Sequence, residues 1–323
     1  MKEVKFMTLR DKIIYTLTSK MGEFVSGQEI ANGENVSRSA VAKCINALKD
    51  EGFDITSVNN SGHRLNKQSD TLSEGAVRAY LNDSSVDVRV FQIIDSTNTE
   101  AKRAVSDGLV GNALFVANEQ TSGRGRRGRS FYSPKEHGIY FSCVLHPEVS
   151  LADSTAITSA AAVAVCEALK AATKKDPKIK WVNDIFIDNL KVCGILTEAV
   201  SDFESGKVDS VIVGIGINLT NEAFPEELKD IAASVGVKID RCALVADVFS
   251  RLKALCDRLP DKSFMDSYRL HSLVLGKTVS FNRNGNAYQA VATAIHDNGE
   301  LEVILDSGEA MILNSGEISV KLA

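Results

Sequence analysis

The hydrophobic period of this 323-residue chain changes twice along its length, and that constrains the fold more than any single motif does. Up to residue 66 the apolar positions recur at helical spacing. Leu9, Ile13, Ile14 and Leu17 line one face, and Val41, Cys44, Ile45 and Leu48 line another at i, i+3, i+4 and i+7. Ser26-Gly27-Gln28-Glu29 reads as a capping box opening a short helix, and Gly33-Glu34-Asn35 as a turn. Ser37 can cap the helix that follows, and Gly52 ends it. A hairpin is expected from Asp54–Val58 through Asn59-Asn60-Ser61-Gly62 to His63-Arg64-Leu65.

Three helices and a hairpin describe a winged helix-turn-helix over residues 1–66. Residues 67–86 are polar and read as a connector with one short helix near Glu74–Tyr80. From there to 275 strands and helices mix. Strands are expected at Val90–Ile94, Ala113–Asn118, Ile139–Leu145, Asp184–Ile187, Gly194–Val200 and Ser210–Leu219. Helices are expected at Ala152–Lys174, with Ile157, Ala161, Val165 and Leu169 on one face, and at Arg241–Leu259. After Gly276 the period drops to two. Short strands at Thr278–Phe281, Ala287–Ile295, Leu301–Leu305, Ala310–Leu313 and Ile318–Leu322 are divided by Asn284-Gly285 and Asn298-Gly299, both strong hairpin signals. Residues 276–323 therefore fit a small barrel. The fold class is α+β in three parts: 1–66, 67–275 and 276–323.

Composition limits the function classes. Hydrophobic residues make up 44% and charged residues 24%, ordinary for a globular chain that can bury a core without disulfides. The six cysteines form no C-x-x-C pair and read as reduced core residues; the five histidines lack metal-ligand spacing, so no caged metal is expected. No uninterrupted apolar run approaches a membrane span, and the first residues lack the apolar core of a signal peptide. A cytoplasmic protein with no membrane partner is expected. Net charge is −5, split into +1 for residues 1–66 and −6 for the rest. That argues against indiscriminate nucleic-acid binding.

Within the acidic body one stretch stands apart. Gly123-Arg124-Gly125-Arg126-Arg127-Gly128-Arg129 packs four arginines and three glycines into seven residues without an acid. Glycines let backbone approach a ligand, and guanidinium forks grip phosphate. The loop is thus suited to an anion; the bland alternative is a solvated basic loop. It also matches G-x-G-x-x-G, but Ser130-Phe131-Tyr132-Ser133-Pro134 follows and no helix opens there, so a dinucleotide fold is excluded. A Walker A sequence is absent as well.

Three more segments accompany the loop. Asp95-Ser96-Thr97-Asn98 follows a strand and opens a helix. Lys180-Trp181-Val182-Asn183-Asp184 precedes Lys191-Val192-Cys193-Gly194-Ile195-Leu196-Thr197-Glu198. Gly214-Ile215-Gly216-Ile217-Asn218 ends a strand. Singly, each is weak: the first is more often just a helix cap, the second just a hairpin turn, and Gly-x-Gly can mark no more than close backbone packing. In this order they resemble the biotin protein ligase family, and the winged helix in front resembles its regulatory subgroup, the biotin operon repressors. The likeness runs from about Phe91 to the C-terminal barrel and, with the winged helix, covers nearly the whole chain. Two positions depart from the family pattern: Val182 stands where proline is usual, and Ser130-Phe131 where a Lys-Trp pair is common.

The resemblance implies a central mixed α/β catalytic domain of the class II synthetase and biotin ligase type, followed by an SH3-like barrel. It implies activation of biotin with ATP, carrying Mg²⁺, to biotinyl-AMP, then transfer to a lysine of a biotin carboxyl carrier protein. Neither step needs an enzyme nucleophile. By the same resemblance Ser96, Thr97, Asn98, Gln120, Arg124, Gly125, Arg126, Lys191 and Gly194 hold biotin. Arg126, Arg129, Phe131, Lys180, Asn183, Asp184 and Asn218 place ATP. Lys191, Arg124, Arg126 and Lys180 stabilise charge during reaction. Ser37, Arg38, Ser39 and Lys43, with Arg64 in the wing, face operator DNA; Arg38 can meet a guanine edge or a phosphate. A weakly charged head requires a homodimer, which ligand binding would promote. Ordering a flexible loop costs about 1–2 kcal/mol per residue, so the segment near 118–132 is expected to be mobile until biotinyl-AMP orders it, with protease cleavage there slowed by the ligand. Two alternatives stand beside this reading: a lipoate-type ligase, and a ligand-sensing repressor without ligase activity.

Overall fold

The structure is a computed structural model. It describes residues 7–67, 71–147, 154–201, 208–220, 224–283, 285–314 and 321–322. Contacts divide the chain into two units, one of residues 1–90 with 239–247, the other of 91–238 with 248–323.

The first unit contains α1 (Leu9–Ser19), α2 (Gly27–Gly33), α3 (Arg38–Asp50), β1 (Ile55–Val58), β2 (Gly62–Leu65) and α4 (Glu74–Tyr80). Its core gathers Ile13, Ile14, Leu17, Val41, Ile45, Leu48, Leu65 and Val77, each at most 2% exposed. Cys44, expected on that face, stays half-exposed. Thr8, Ser26 and Ser37 cap their helices by accepting from Asp11 N, Gln28 N and Ala40 N. Only half of the expected capping box forms, because the Glu29 carboxylate accepts from Lys20 Nζ at 3.0 Å instead of folding back. The hairpin has the expected register, Ile55 opposite Leu65 and Val58 opposite Gly62. Gly62 has φ +105°, and a Cβ there would lie 2.1 Å from the Val25 carbonyl oxygen, so the wing abuts the segment before α2. The connector helix packs on the head: a Cβ on Gly75 of α4 would lie 2.0 Å from the Asp11 carbonyl oxygen of α1.

The second unit is built on six antiparallel strands in the order β4-β5-β9-β8-β7-β6. These are β4 (Ala113–Ala117), β5 (Gly138–Leu145), β6 (Lys178–Lys180), β7 (Asp184–Ile187), β8 (Leu190–Ser201) and β9 (Val208–Asn218); β3 (Asp87–Phe91) precedes them in the chain. Every residue of β4 and β5 is buried, as continuous apolar runs require when both faces are covered. The helices are α5 (Thr97–Ser106), α6 (Ser154–Thr173), α8 (Phe264–His271) and, from residue 248 on, α7 (Arg241–Cys256), whose first residues belong to the first unit. The expected apolar face of α6 is buried, but so is nearly all its circumference. Ala156–Thr173 is long and apolar enough by composition to cross a membrane, yet 67% of it is buried in the fold, as in a core helix. Helix α8 and strand β6 escaped the sequence reading, the latter because three residues carry no period.

Five antiparallel strands close the chain: β10 (Thr278–Arg283), β11 (Asn286–Ile295), β12 (Leu301–Leu305), β13 (Ala310–Leu313) and β14 (Lys321–Leu322), ordered β13-β12-β11-β10-β14. This is the small antiparallel module expected after Gly276, and it fits an SH3-like barrel. Asn284 of the first Asn-Gly turn, and Ile318–Val320 of the last expected strand, lie outside the described residues. At the other turn Gly299 takes φ +85°. Its carbonyl accepts from Trp181 Nε1 at 2.9 Å, which ties this sheet to the central one.

Candidate active site

The site begins with cross-strand pairing. On adjacent strands Gly194 faces Gly216 and Leu196 faces Gly214, while β5 sets Tyr140 opposite Gly216 and Ser142 opposite Gly214. Three glycines thus leave a floor of bare backbone, and other side chains lie directly on it. A Cβ on Gly216 would lie 2.4 Å from the Phe131 ring, one on Gly194 3.1 Å from that ring and 3.2 Å from Lys191 Nζ, and one on Gly214 2.0 Å from Asn98 Oδ1.

One wall is the N-terminus of α5. Ser96, Thr97 and Asn98 are at most 4% exposed. Gln120 is turned onto this wall: its Oε1 accepts from Thr97 N at 2.9 Å and from Thr97 Oγ1 at 3.1 Å, while its Nε2 donates to Ser133 Oγ at 3.0 Å. The opposite rim is the arginine loop. A single 3-10 turn spans Arg126–Gly128, with Arg127 at φ 59° and Gly128 at φ 70°; no helix follows, as the sequence indicated. The loop closes on itself through Gly125 N to Arg129 O at 2.7 Å and Phe131 N to Gly123 O at 2.9 Å.

The β7–β8 hairpin supplies the end of the pocket. Arg126 Nη1 donates to Asn183 Oδ1 at 3.0 Å, and Asn183 Nδ2 donates to Ile195 O at 2.8 Å. Lys191 Nζ lies 2.7 Å from Asp184 Oδ1. Burial, reinforced by the charge of Arg127, lowers the Arg126 pKa. A guanidinium stays charged at neutral pH, so the direction of the shift measures the cost of holding that cation in place, a cost that an incoming anion would offset. The peptide between Trp181 and Val182 is cis, at the position where the family pattern has proline. Val182 is 2% exposed, and its carbonyl accepts from Tyr268 Oη at 3.0 Å.

Ser96, Thr97, Asn98, Gln120, Arg124, Gly125, Arg126, Phe131, Asn183, Lys191 and Gly194 line one cavity. Four other expected residues do not line it. Asp184 lies beside it, paired with Lys191. Lys180 lies with its Nζ 5.1 Å from the Phe186 ring centre. Arg129 is exposed on the loop, and Asn218 Nδ2 points to Ala233 O at 3.4 Å. Phe131, expected to help place ATP, lies over Gly194 and Gly216 and lines this cavity of about 50 Å³. A second cavity of about 530 Å³ shares Phe131 and Gln120 with the first and is bounded beyond them by Tyr132 and Pro225.

The sequence reading missed Ser142 and gave Glu198 no role. Both support the wall from behind: Asn98 Nδ2 donates to Glu198 Oε2 at 3.0 Å, and Lys102 Nζ lies 2.7 Å from Glu198 Oε1. A lone serine in the buried run Ile139–Leu145 was the available signal. Burial pushes the Glu198 pKa up, but the hydrogen bonds from Lys102 and Asn98 and the Lys102 charge outweigh it, so the net shift is downward. Its contribution to stability is therefore complete above the unfolded glutamate value, about 4.3, and is lost as pH falls through the lowered folded value. Glu198→Gln is expected to remove that part of the acid-side decline in melting temperature.

In the first unit Arg38, Ser39 and Lys43 are exposed on α3. The Ser37 hydroxyl is engaged as the helix cap and lies 2.8 Å from Ser39 Oγ. Arg64 sits over the Phe24 ring at 4.6 Å, with its Nε donating to Asn66 Oδ1. Asn46, one helical turn beyond Lys43, is exposed on the same face. Its i+3 spacing from Lys43 was legible but unused.

Comparison with known proteins agrees with this geometry. Residues 90–218 match the biotin/lipoate A/B protein ligase family, 10–64 a helix-turn-helix domain, and 274–321 the biotin protein ligase C-terminal domain. The chain is 35% identical to the bifunctional ligase/repressor BirA of Bacillus spizizenii over 91% of its own length and 93% of that protein. It is 29% identical to the Escherichia coli protein of the same name over 78% and 77%. The biotin protein ligase of Aquifex aeolicus, solved with biotin and ATP, superposes with a TM-score of 0.63 at 28% identity, covering 73% of this chain and 99% of that one. With all three matched regions in one chain and 35% identity along nearly the whole of a bifunctional ligase/repressor, the chain belongs to the biotin protein ligase family, in its group of bifunctional ligase/repressors.

Proposed function

We propose that this protein joins biotin to ATP and then to a carrier lysine, and that its N-terminal unit makes biotinyl-AMP a signal for repressing biotin synthesis genes. The observation that carries the ligase reading is the placement of Arg124, Arg126 and Lys191 around a glycine floor beside the polar wall of Ser96, Thr97 and Gln120. A neutral ring meets the wall and a carboxylate and phosphate meet the cations. In the first step a biotin carboxylate oxygen attacks the α-phosphorus; the new P–O bond forms as the bond to pyrophosphate breaks. In the second, the carrier amine attacks the acyl carbon, the amide forms and AMP leaves. No side chain becomes covalently attached, so the work is positioning and charge stabilisation.

Arg124, Arg126 and Lys191 hold the carboxylate and α-phosphate together, with Lys191 released from Asp184 to do so. Lys180, Asn183, Arg129 and Asn218 serve the nucleotide at the outer end. Asp184 would be the carboxylate to meet a Mg²⁺ carried in by ATP, which would supply shielding of the phosphate charge. Biotin reaches the Gly194 backbone only when the Phe131 ring leaves it, and the adjoining cavity gives the ring room to turn toward adenine. The carrier is a biotin carboxyl carrier protein, and the compartment is the cytoplasm, where ATP is supplied.

The test is biotin-dependent ATP–pyrophosphate exchange by the purified chain, with lipoate as the control acid. Exchange with biotin alone is expected. Exchange with lipoate alone would move the chain to the lipoate-type ligases, and exchange with neither would leave a sensor without chemistry.

For DNA, Arg38 and Lys43 face the groove and the phosphates as a homodimer assembles on a two-fold operator. Removing one phosphate contact by Lys43→Ala is expected to weaken operator binding in biotinyl-AMP and to flatten the salt slope by about one unit. An unchanged slope in a filter-binding titration would remove Lys43 from the interface.

A further inference from the structure

Behind the pocket wall runs a chain of polar groups, buried at Thr97, Asn98 and Ser142, whose protons can be followed one at a time. Glu198, ion-paired with Lys102 at 2.7 Å, can only accept. It accepts from Asn98 Nδ2 at 3.0 Å, so the amide oxygen of Asn98 must face the other way, toward Ser142 Oγ at 2.6 Å. Ser142, fully buried, therefore gives its single proton to Asn98. The Asn98 amide is seated on Gly214, where a Cβ would lie 2.0 Å from Oδ1.

Thr97 comes next. Its Oγ1 lies 2.8 Å from Ser142 Oγ and 3.1 Å from Gln120 Oε1. The Gln120 oxygen is fixed as an acceptor, because it takes the Thr97 backbone N–H at 2.9 Å while the amide nitrogen faces Ser133. The Ser142 proton is already committed. Two oxygens 2.8 Å apart need a proton between them, so the Thr97 hydroxyl points its own at Ser142 and turns only a lone pair to the cavity that it lines.

We propose that Glu198 is a specificity-determining positioning residue: through Asn98 and Ser142 it sets the hydrogen-bond polarity of the pocket, making Thr97 an obligate acceptor that selects a ligand presenting N–H and rejects one presenting oxygen. Glu198 touches no ligand. A glutamine in its place turns its oxygen to Lys102 and its amide nitrogen to Asn98, which drives the Asn98 amide to turn against only a 3.5 Å contact of its nitrogen with Leu196 O. The Ser142 proton then passes to Thr97, and the Thr97 hydroxyl becomes able to donate into the cavity. The ligand identity, a cyclic urea, rests on the ligase reading above; the proton order of the wall does not.

The experiment compares calorimetric dissociation constants for biotin and for two carbamate analogues, in each of which one ureido N–H is replaced by oxygen. Wild-type protein is expected to bind biotin about 10–100-fold more tightly than the analogue that sets oxygen against Thr97, the penalty for facing two acceptors in a buried site. Thr97→Val marks the ratio with no acceptor present. In Glu198→Gln the ratio is expected to fall toward that mark at unchanged secondary structure. A wild-type ratio kept in Glu198→Gln overturns the proposal, because a merely structural glutamate would change affinity without changing discrimination.

A readout without ligand separates the two readings. In side-chain ¹H–¹⁵N spectra of wild-type protein, the Asn98 NH₂ signal, assigned by its loss in Asn98→Asp, is expected to follow the protonation of Glu198 as pH is lowered. If it does and biotin fails to bind, the relay stands and the ligase reading falls. A signal that ignores Glu198 sinks the relay whatever binds.

Discussion

Lys191→Met is expected to lower biotin-dependent pyrophosphate exchange by about 10²–10³-fold, the usual loss for one preorganised charge-stabilising group. The ammonium lies over the Gly194 backbone, 2.7 Å from Asp184. Methionine keeps the length and apolar stem and removes only the charge. Because the charge is needed most where the carboxylate meets the α-phosphate, kcat should fall more than the KM for biotin rises. Lys191 is about a quarter exposed and most of the fold lies elsewhere, so the melting curve should stay close to wild type. An exchange rate within threefold of wild type would exclude Lys191 from the reaction.

Gly214→Ala is the second large effect, and it acts through packing. The added methyl would come 2.0 Å from Asn98 Oδ1. Asn98 cannot step aside, because its amide is held between Ser142 and Glu198 with the residue 4% exposed. Either the strand shifts or the Asn98 network breaks. Overpacking of this kind costs about 1–3 kcal/mol, and an unmade buried hydrogen bond about 1–3 kcal/mol more. The expected outcome is a lower urea midpoint at unchanged slope, together with loss of biotin binding. Gly276→Ala gives the contrast: its φ of +72° carries a backbone penalty, but nothing lies within 4 Å of the added Cβ, so it should cost stability and leave biotin affinity alone. Equal affinity for biotin in Gly214→Ala and wild type would show that Asn98 does not shape the pocket.

These two residues also separate what could be read early from what could not. Lys191 was legible because it falls in an ordered set of segments, each carrying a residue type suited to anions, and because the arginine loop is too basic for an acidic body. Gly214 was legible only as half of a Gly-x-Gly pair. Its reason, an asparagine from α5 pressed against β9, involves positions more than a hundred residues apart.

By itself the sequence determined the element types and most of their limits, since amphipathic period, capping serines and Asn-Gly turns are local signals. The winged helix, the central strands and the C-terminal strands follow from them. It also offered a loop whose glycines and arginines suit a phosphate, with no dinucleotide helix after it. Only the tertiary structure decided which of those residues meet. It set Phe131 on the Gly194–Gly216 floor, paired Lys191 with Asp184, kept Lys180 and Arg129 off the pocket, and drew Ser142 and Glu198 in behind it. Strand order fixes these meetings, and strand order depends on non-local pairing that no local period encodes. The direction of each buried proton is decided later still, because a hydroxyl or an amide becomes donor or acceptor only once its neighbours have been placed.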